Sequence, residues 1–360
     1  MKTLKGSAWS KSRAAGGNAQ GRSGVVRILR WTKGMFAGLV VVFGALIAAG
    51  LIYQAIALEV DERRYPPPGE MVDVGGYRLH LNVMGKSEGG PAVILDAGAQ
   101  SASFQWGWVQ PRVAGFARVV SYDRPGTGWS EAPPEPIDAH QLAEDLHQAL
   151  YKAGVRGPYV VVGHSMGSLT ARAFAERYPD EVKGAVLVDP RYLSMHEDFL
   201  ADFPEENVPT DPPLAVRMQA IAARLGIVRV LDPLGGYAEW LPSRQAAEAR
   251  AYVASDKLYD GMWSDIRLAE SAVPALRNGE QFQKKPVIVL SAGEPDPMNF
   301  PGNDRRAFTV MHERMASSLS TLGEHRVVEG SDHLGIVADR DHAKEVSGAI
   351  RQVVRRVQEG

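Results

Sequence analysis

Cysteine is absent from this chain, and that one gap removes several functions at once. Without it there is no disulfide scaffold, no thiolate nucleophile and no cysteine-ligated metal or iron–sulfur site. The gap does not fix the compartment, because a cysteine-free chain suits oxidising and reducing surroundings alike. Charge of one sign is also missing: 40 Lys and Arg stand against 42 Asp and Glu, a net −2. No basic stripe marks the part of the chain expected to fold, so nothing in the charge pattern points to nucleic acid. There is no H-E-x-x-H and no run of carboxylates at calcium-loop spacing, and no metal is expected. Nor does a glycine fingerprint precede an acidic ribose partner. Gly126-Thr127-Gly128 reads as a loop, and no cofactor is expected. Repeats and low-complexity stretches are absent after residue 33.

What is present is ordinary globular composition, 45% hydrophobic and 23% charged over 360 residues, ample for a large core. The N-terminus departs from it. Residues 1–33 hold Lys2, Lys5, Lys11, Arg13, Arg22, Arg27, Arg30 and Lys33, no Asp or Glu, and many Gly, Ser and Ala. Such a composition buries no core and predicts a basic disordered tail. From Met35 to Leu58 the chain is almost continuously apolar, Gln54 being the main exception. About 20 such residues in helix cross a bilayer. A cleavable signal peptide is the rival reading, with Ala55-Ile56-Ala57 as its cleavage site, but signal h-regions span only about 7–15 residues. An uncleaved single-pass anchor over 34–58 is therefore favoured. Positive charge on its N-terminal flank predicts a cytoplasmic tail and an extracytoplasmic domain, periplasmic or cell-surface.

Residues 59–70 include Pro66-Pro67-Pro68, which predicts a stiff extended linker. Met71–Val74 and Tyr77–Val83 flank Gly75-Gly76, a hairpin signal. Short apolar runs then alternate with helical patterns. Ala92–Leu95, Arg118–Tyr122, Tyr159–Val162, Gly184–Val188, Val287–Leu290 and Arg326–Val328 read as strands covered on both faces, hence a mostly parallel sheet. Asp138 caps a predicted helix that lines up Leu142, Leu146 and Leu150 and stops at Gly154. Between about Tyr192 and Lys284 the strands cease, and residues 192–284 read as a helical cap. The core is thereby split into residues 71–191 and 285–360.

One short segment carries the chemistry. Tyr159-Val160-Val161-Val162 feeds Gly163-His164-Ser165-Met166-Gly167, and a helical pattern follows from Leu169. This is G-x-S-x-G between a buried strand and a helix, the setting in which it marks a nucleophile. In a chain with 37 glycines the motif alone is weak, and the flanks give it meaning. A sharp turn lifts the Ser165 hydroxyl clear of the sheet, while two glycines let strand and helix close around it. The helix start behind Ser165 offers unpaired N–H groups to a developing negative charge.

The order of elements and motifs from Met71 onward resembles the α/β-hydrolase fold superfamily. More narrowly, it resembles membrane-anchored bacterial serine hydrolases with a proline-rich spacer before a Gly-Gly hairpin. Four segments carry the likeness: Leu95-Asp96-Ala97-Gly98-Ala99-Gln100, Tyr122-Asp123-Arg124-Pro125-Gly126-Thr127-Gly128-Trp129-Ser130, the turn at Ser165, and Gly330-Ser331-Asp332-His333. The resemblance implies a mostly parallel sheet flanked by helices, a helical cap insertion and an N-terminal transmembrane helix. It implies a triad of Ser165, His333 and an acid, because serine needs an imidazole base and the base needs a carboxylate to orient it. Asp296 fits the usual chain order; Asp189, after the Gly184–Val188 strand, is the alternative. By the same resemblance the oxyanion donors are the N–H groups of Met166 and Ala99, although Ala97-Gly98 replaces the common His-Gly start.

His164 is expected to pack beside the turn and point away from the site, and most remaining histidines read as surface residues. Asp332, Asp123 and Asp96 read as turn formers. Gln100, His164, Trp240, Met262 and Trp263 are candidate pocket residues, with packing of the cap as the competing account of the cap members. Serine at the nucleophile argues against dehalogenase and epoxide hydrolase relatives, which use aspartate there. The expected activity is hydrolysis of a small-molecule carboxylic ester through an acyl-enzyme. Alternatives are an amidase or aminopeptidase-type hydrolase, or a non-catalytic ligand-binding protein on the same fold. Oligomeric state is not legible.

Overall fold

The structure is a computed structural model that describes residues 19–86, 89–190, 212–233, 235–276, 282–295 and 305–360. The chain divides into two units, residues 1–53 and 54–360. The described part of the first unit is helical throughout and belongs to α1 (Ala19–Arg64). Met35, Phe36, Leu39, Phe43 and Leu46 stand exposed along it. From Arg30 to Arg64 this helix is long and apolar enough to cross a membrane.

α1 overruns both predicted limits. It already includes Ala19, inside the stretch read as disordered, and ends at Arg64, inside the stretch read as linker. Extending an existing helix needs no new nucleus, and neither flank contains proline before Pro66. At its C-terminal end Glu59 accepts a 2.9 Å hydrogen bond from Arg63 Nε, and Arg63 and Arg64 suit the negative end of the helix dipole. Pro66 then stops it.

The second unit holds an eight-stranded sheet. Its strands are β1 (Glu70–Asp73), β2 (Arg78–Met84), β3 (Ala92–Asp96), β4 (Val119–Tyr122), β5 (Tyr159–His164), β6 (Val182–Val188), β7 (Val287–Ala292) and β8 (Gly323–Val328). They lie in the order β1-β2-β4-β3-β5-β6-β7-β8. β1 and β2 form the predicted hairpin, pairing Asp73 with Arg78, and β2 is antiparallel to β4. Every other pairing is parallel, so the C-terminal ends of β3, β5, β6 and β7 share one edge.

Alternation along each strand divides the core in two. Tyr159 and Val161 face a layer containing α3 (Ala139–Lys152) and α4 (Gly167–Arg177), where Leu142, Leu146, Leu150 and Phe174 are buried. Val160 and Val162 face α2 (Val109–Val113) and the long C-terminal helix, whose Val346, Ile350 and Val353 are fully buried. α3 starts as predicted, with the Asp138 side chain accepting from Gln141 N–H at 2.8 Å.

Between β6 and β7 the described residues are helical: α5 (Leu214–Arg224), α6 (Ile227–Leu231), α7 (Gly235–Ala238), α8 (Ser243–Val253) and α9 (Lys257–Leu276). They enclose a small core of their own around Phe104, Leu241, Tyr252 and Leu258. Gln54, in the last turns of α1, is buried against this cap and donates to the Ala254 carbonyl at 2.7 Å. After β7 come α10 (Arg305–Leu319), α11 (Gly335–Ala338) and α12 (His342–Glu359).

Candidate active site

β5 delivers Ser165 to the sheet edge, and the turn that holds it is tight. Ser165 has φ +51°, a region that non-glycine residues rarely adopt. The two motif glycines explain how the turn closes. A Cβ on Gly163 would come within 3.0 Å of the Gly167 carbonyl, and one on Gly167 within 3.0 Å of the Asp96 and Ala97 carbonyls. β3, β5 and α4 approach so closely that no side chain fits between them. Ser165 is itself 7% exposed, and its N–H is anchored on the Val188 carbonyl of β6 at 3.0 Å.

His333 reaches this turn from the loop after β8. Its Nε2 lies 2.9 Å from Ser165 Oγ, and its Nδ1 lies 2.6 Å from Asp189 Oδ2. The carboxylate on the ring is Asp189, after β6, the alternative acid; the favoured Asp296 lies outside the described residues. The single Nδ1–H donates its hydrogen bond to Asp189.

Asp189 is held from every side. It sits at φ +41° and is 3% exposed, with Oδ1 accepting from the Ala292 N–H at 2.9 Å. Arg305, at the start of α10, places its guanidinium across both carboxylate oxygens. Burial works to raise this carboxyl, but the hydrogen bond and charge of His333 together with Arg305 hold it well below the usual carboxylate range. It stays ionised wherever the rest of the site functions.

The first loop is fixed by a side chain with no motif to announce it. Gln105 accepts from Gly98 N–H at 2.9 Å through its carbonyl and donates 2.7 Å from its amide to His164 Nδ1. His164 Nε2 in turn donates to the His333 carbonyl at 2.8 Å. The sequence reading turned this ring away from the site. It instead lies against the His333 loop, with ring centroids 4.8 Å apart. Burial and the neighbouring His333 push its pKa down to about 3, so it is a neutral strut.

Arg124 buttresses the same loop from below. Its guanidinium donates to the Ala97 carbonyl at 2.5 Å, the Gly98 carbonyl at 2.8 Å and Asp96 at 2.6 Å. Asp265, on α9 of the cap, closes the arrangement by accepting from Arg124 Nε at 2.8 Å and from Gln100 N–H at 3.3 Å. Gly98 and Gln100 thus have their N–H groups engaged. Among the described residues no hydrogen bond is seen to the N–H of Ala99 between them, nor to that of Met166 at the head of α4. Those are the two donors the resemblance implied.

The other expected residues scatter more widely. Gln100 is exposed at φ +58°. Trp240 is 38% exposed, and its ring lies 3.4 Å from where a Gly335 Cβ would stand, two residues past His333. Met262 and Trp263 are half-buried on α9, the helix that carries Asp265. Asp332 forms a turn, accepting from Gly335 N–H at 2.7 Å. Asp123 likewise binds the N–H groups of Ser103 and Trp129. His80 and His312 are fully buried, contrary to a surface reading: His80 pairs with Asp123 at 2.9 Å and His312 bonds Ser291 at 2.7 Å. Alternating strand patterns do not reveal such polar partners. Among the described residues no cluster of potential metal ligands is found.

Known proteins resemble this one in the same region. A sequence model of the alpha/beta hydrolase fold matches residues 90–273, about half of the chain. An AB hydrolase superfamily protein of Gibberella zeae is 30% identical over 254 residues, 65% of this chain and 71% of its own length. A vacuolar membrane protein of Saccharomyces cerevisiae is 30% identical over 140 residues, 34% of this chain and 21% of the relative. Like that match, several others take in only about a fifth of the curated relative's length. Among solved structures, the Cif epoxide hydrolase of Acinetobacter nosocomialis superposes with a TM-score of 0.62 at 14% identity, over 84% of this chain and 96% of that one. The enol-lactonase of Burkholderia xenovorans gives 0.55 at 21%, over 79% and 100%. At these identities the structural likeness is one of fold.

Proposed function

The chain belongs to the alpha/beta hydrolase family, and on that premise we propose that it is a serine hydrolase that cleaves a carboxylic ester of a small molecule. The reading rests on one observation: Ser165 Oγ, the His333 ring and Asp189 form a continuous hydrogen-bonded chain on a strained turn at the head of a helix. In this reading His333 Nε2 takes the Ser165 proton as Oγ bonds the substrate carbonyl carbon. The Ala99 and Met166 N–H groups hold the oxygen as it becomes negative. Collapse expels the alcohol, which leaves with the proton from His333. Water then repeats the sequence, releases the acid and restores Ser165. Asp189 keeps Nδ1 protonated and stabilises the imidazolium without itself taking the proton.

Serine, rather than the aspartate of epoxide hydrolases, at the nucleophile position favours acyl transfer. Trp240, Met262 and Trp263 would wall the acyl side of the pocket. α1 would anchor the enzyme, with the basic flank in the cytoplasm and the catalytic unit across the membrane. The test is a hydrolysis screen of the full-length chain in detergent over acyl esters, aminoacyl esters and amides. Turnover of esters that disappears in Ser165→Ala supports the reading. Turnover confined to amides moves the substrate class to the amidase alternative, and no turnover of either leaves a ligand-binding protein. Gln54 and Asp61 of α1 bond to the cap, and the full chain keeps both.

A further inference from the structure

On the outer surface of the cap, α5 and α6 expose large apolar side chains beside Arg217, Gln219 and Arg224. In α5, Ala220 and Ala223 point into the cap core, yet Leu214, Met218 and Ile221 are 74%, 55% and 46% exposed on the other side. α6 repeats the pattern: Val228 is buried, while Ile227, Val230 and Leu231 are 46%, 75% and 72% exposed. Six large apolar side chains at helical spacing (i, i+4, i+7, then i, i+3, i+4) form two adjoining stripes. Contiguous apolar surface of this kind marks a contact with a protein or a membrane.

The position of α6 decides between them. Arg229, flanked by Val228 and Val230, pairs with Asp61 at 2.7 Å and donates to Gln54 Oε1 at 3.1 Å, both in the last turns of α1. Gln54 is 2% exposed against the cap, so it is not a lipid-facing residue, and the apolar run must leave the bilayer by Tyr53. The run from Gly34 to Tyr53 is about 20 residues, roughly 30 Å of helix, which matches the hydrocarbon thickness. The polar interfacial layer extends roughly 5–7 Å beyond that on each side. Gln54 therefore lies at its inner border, and Arg229 fastens α6 to it. Arg217 stands exposed on α5 between Leu214 and Met218, where its head group can reach lipid phosphates while its stem lies on the apolar stripe.

We propose that α5 and α6 of the cap lie in the membrane interface, with Leu214, Met218, Ile221, Ile227, Val230 and Leu231 inserted among the lipids beside the exit of α1. The proposal rests on the reading of α1 as a membrane anchor. It makes the cap a peripheral membrane element in its own right and places the catalytic unit where membrane-partitioned esters collect.

The absence of cysteine gives a direct test. Met218→Cys, Val230→Cys, Val310→Cys and Leu46→Cys are each labelled with an environment-sensitive nitrobenzoxadiazole dye on the full chain. Each is then reconstituted into vesicles of phosphatidylcholine and phosphatidylglycerol with and without doxyl-labelled lipid. Val310 is an exposed apolar residue of α10 and serves as the water-facing reference. The expected result is blue-shifted emission lost to doxyl lipid at positions 46, 218 and 230, with position 310 unaffected. Quenching at 46 alone overturns the cap proposal and leaves the anchor standing. No quenching at 46 removes the anchor reading and the proposal with it. A blue shift at 218 and 230 that doxyl lipid does not quench means that protein, such as a second copy of this chain, covers the face, and this too overturns the proposal.

Discussion

Replacing Asp189 with asparagine changes one atom, yet the structure makes that change severe. Asp189 Oδ1 accepts from Ala292 N–H, and Arg305 spans both carboxylate oxygens. An asparagine keeps its oxygen toward Ala292 N–H and Arg305 Nη2, because the reversed amide would set its NH₂ against both, whereas the kept orientation opposes only the 3.2 Å bond from Arg305 Nη1. Its NH₂ then faces His333 Nδ1, where Asp189 now accepts at 2.6 Å. Nδ1 is forced to be the acceptor and Nε2 to carry the proton, which is the tautomer that cannot take a proton from Ser165. The same tautomer error in a serine protease costs about 10⁴ in kcat, roughly 5 kcal/mol of transition-state stabilisation. Asp189→Asn is accordingly expected to lower kcat on a p-nitrophenyl ester by about 10⁴. Asp296→Asn should stay within a few-fold of the parent, because the single Nδ1–H is already committed. Thermal melting of each variant separates catalytic loss from unfolding. A folded Asp189→Asn within tenfold of the parent, beside a crippled Asp296→Asn, would refute the assignment.

Other perturbations probe the supports of the site. Asp265→Asn removes one of the two carboxylates on the buried Arg124, which keeps Asp96, and slackens the loop that carries Ala99. It should lower both the melting temperature and kcat, and an unchanged kcat would detach the cap from the function of the Ala99 loop. Gly167→Ala forces a Cβ into the Asp96 and Ala97 carbonyls and should destabilise by about 1–3 kcal/mol or more, read from melting. Acid sensitivity is also expected. Burial lowers the pKa of His164 to about 3 and of His312 to about 4, so between those values and about 6.5 the unfolded chain binds more protons than the folded one. Stability should fall as pH drops through that window, by up to about 1.4 kcal/mol per pH unit per histidine. Burial works to lower the His80 pKa, but its pairing with Asp123 raises it on balance, so this histidine contributes no loss of stability as pH falls. His312→Asn should flatten the slope, and a melting temperature independent of pH between 6.5 and 4.5 would refute the argument.

The parts of the site legible in the sequence were those set by backbone geometry. Glycine spacing around Ser165, the Gly75-Gly76 hairpin and the Asp138 cap each reflect a local steric or hydrogen-bonding demand, and each left a residue pattern behind. The carboxylate that meets His333 was not legible in that way. Asp189 and Asp296 both follow parallel strands that end at the same edge, and only the path of the loops decides which carboxylate meets His333. Gln105, Asp265 and Arg305 were missed for a related reason. Their partners lie 7 to 165 residues away in sequence, and a polar residue bound for burial looks like any other until the chain folds. The extent of α1 was misjudged because composition marks where a helix must be apolar, not where it stops.

The central claim is that Ser165 is a nucleophile activated by His333. Intact-protein mass spectrometry after exposure to a fluorophosphonate tests it most directly, because the reagent reacts with activated serines and leaves a covalent adduct. The account predicts one adduct per chain, mapped to Ser165, absent in Ser165→Ala and formed far more slowly in His333→Ala. An adduct on another serine, or equal labelling of the parent and Ser165→Ala, would contradict it.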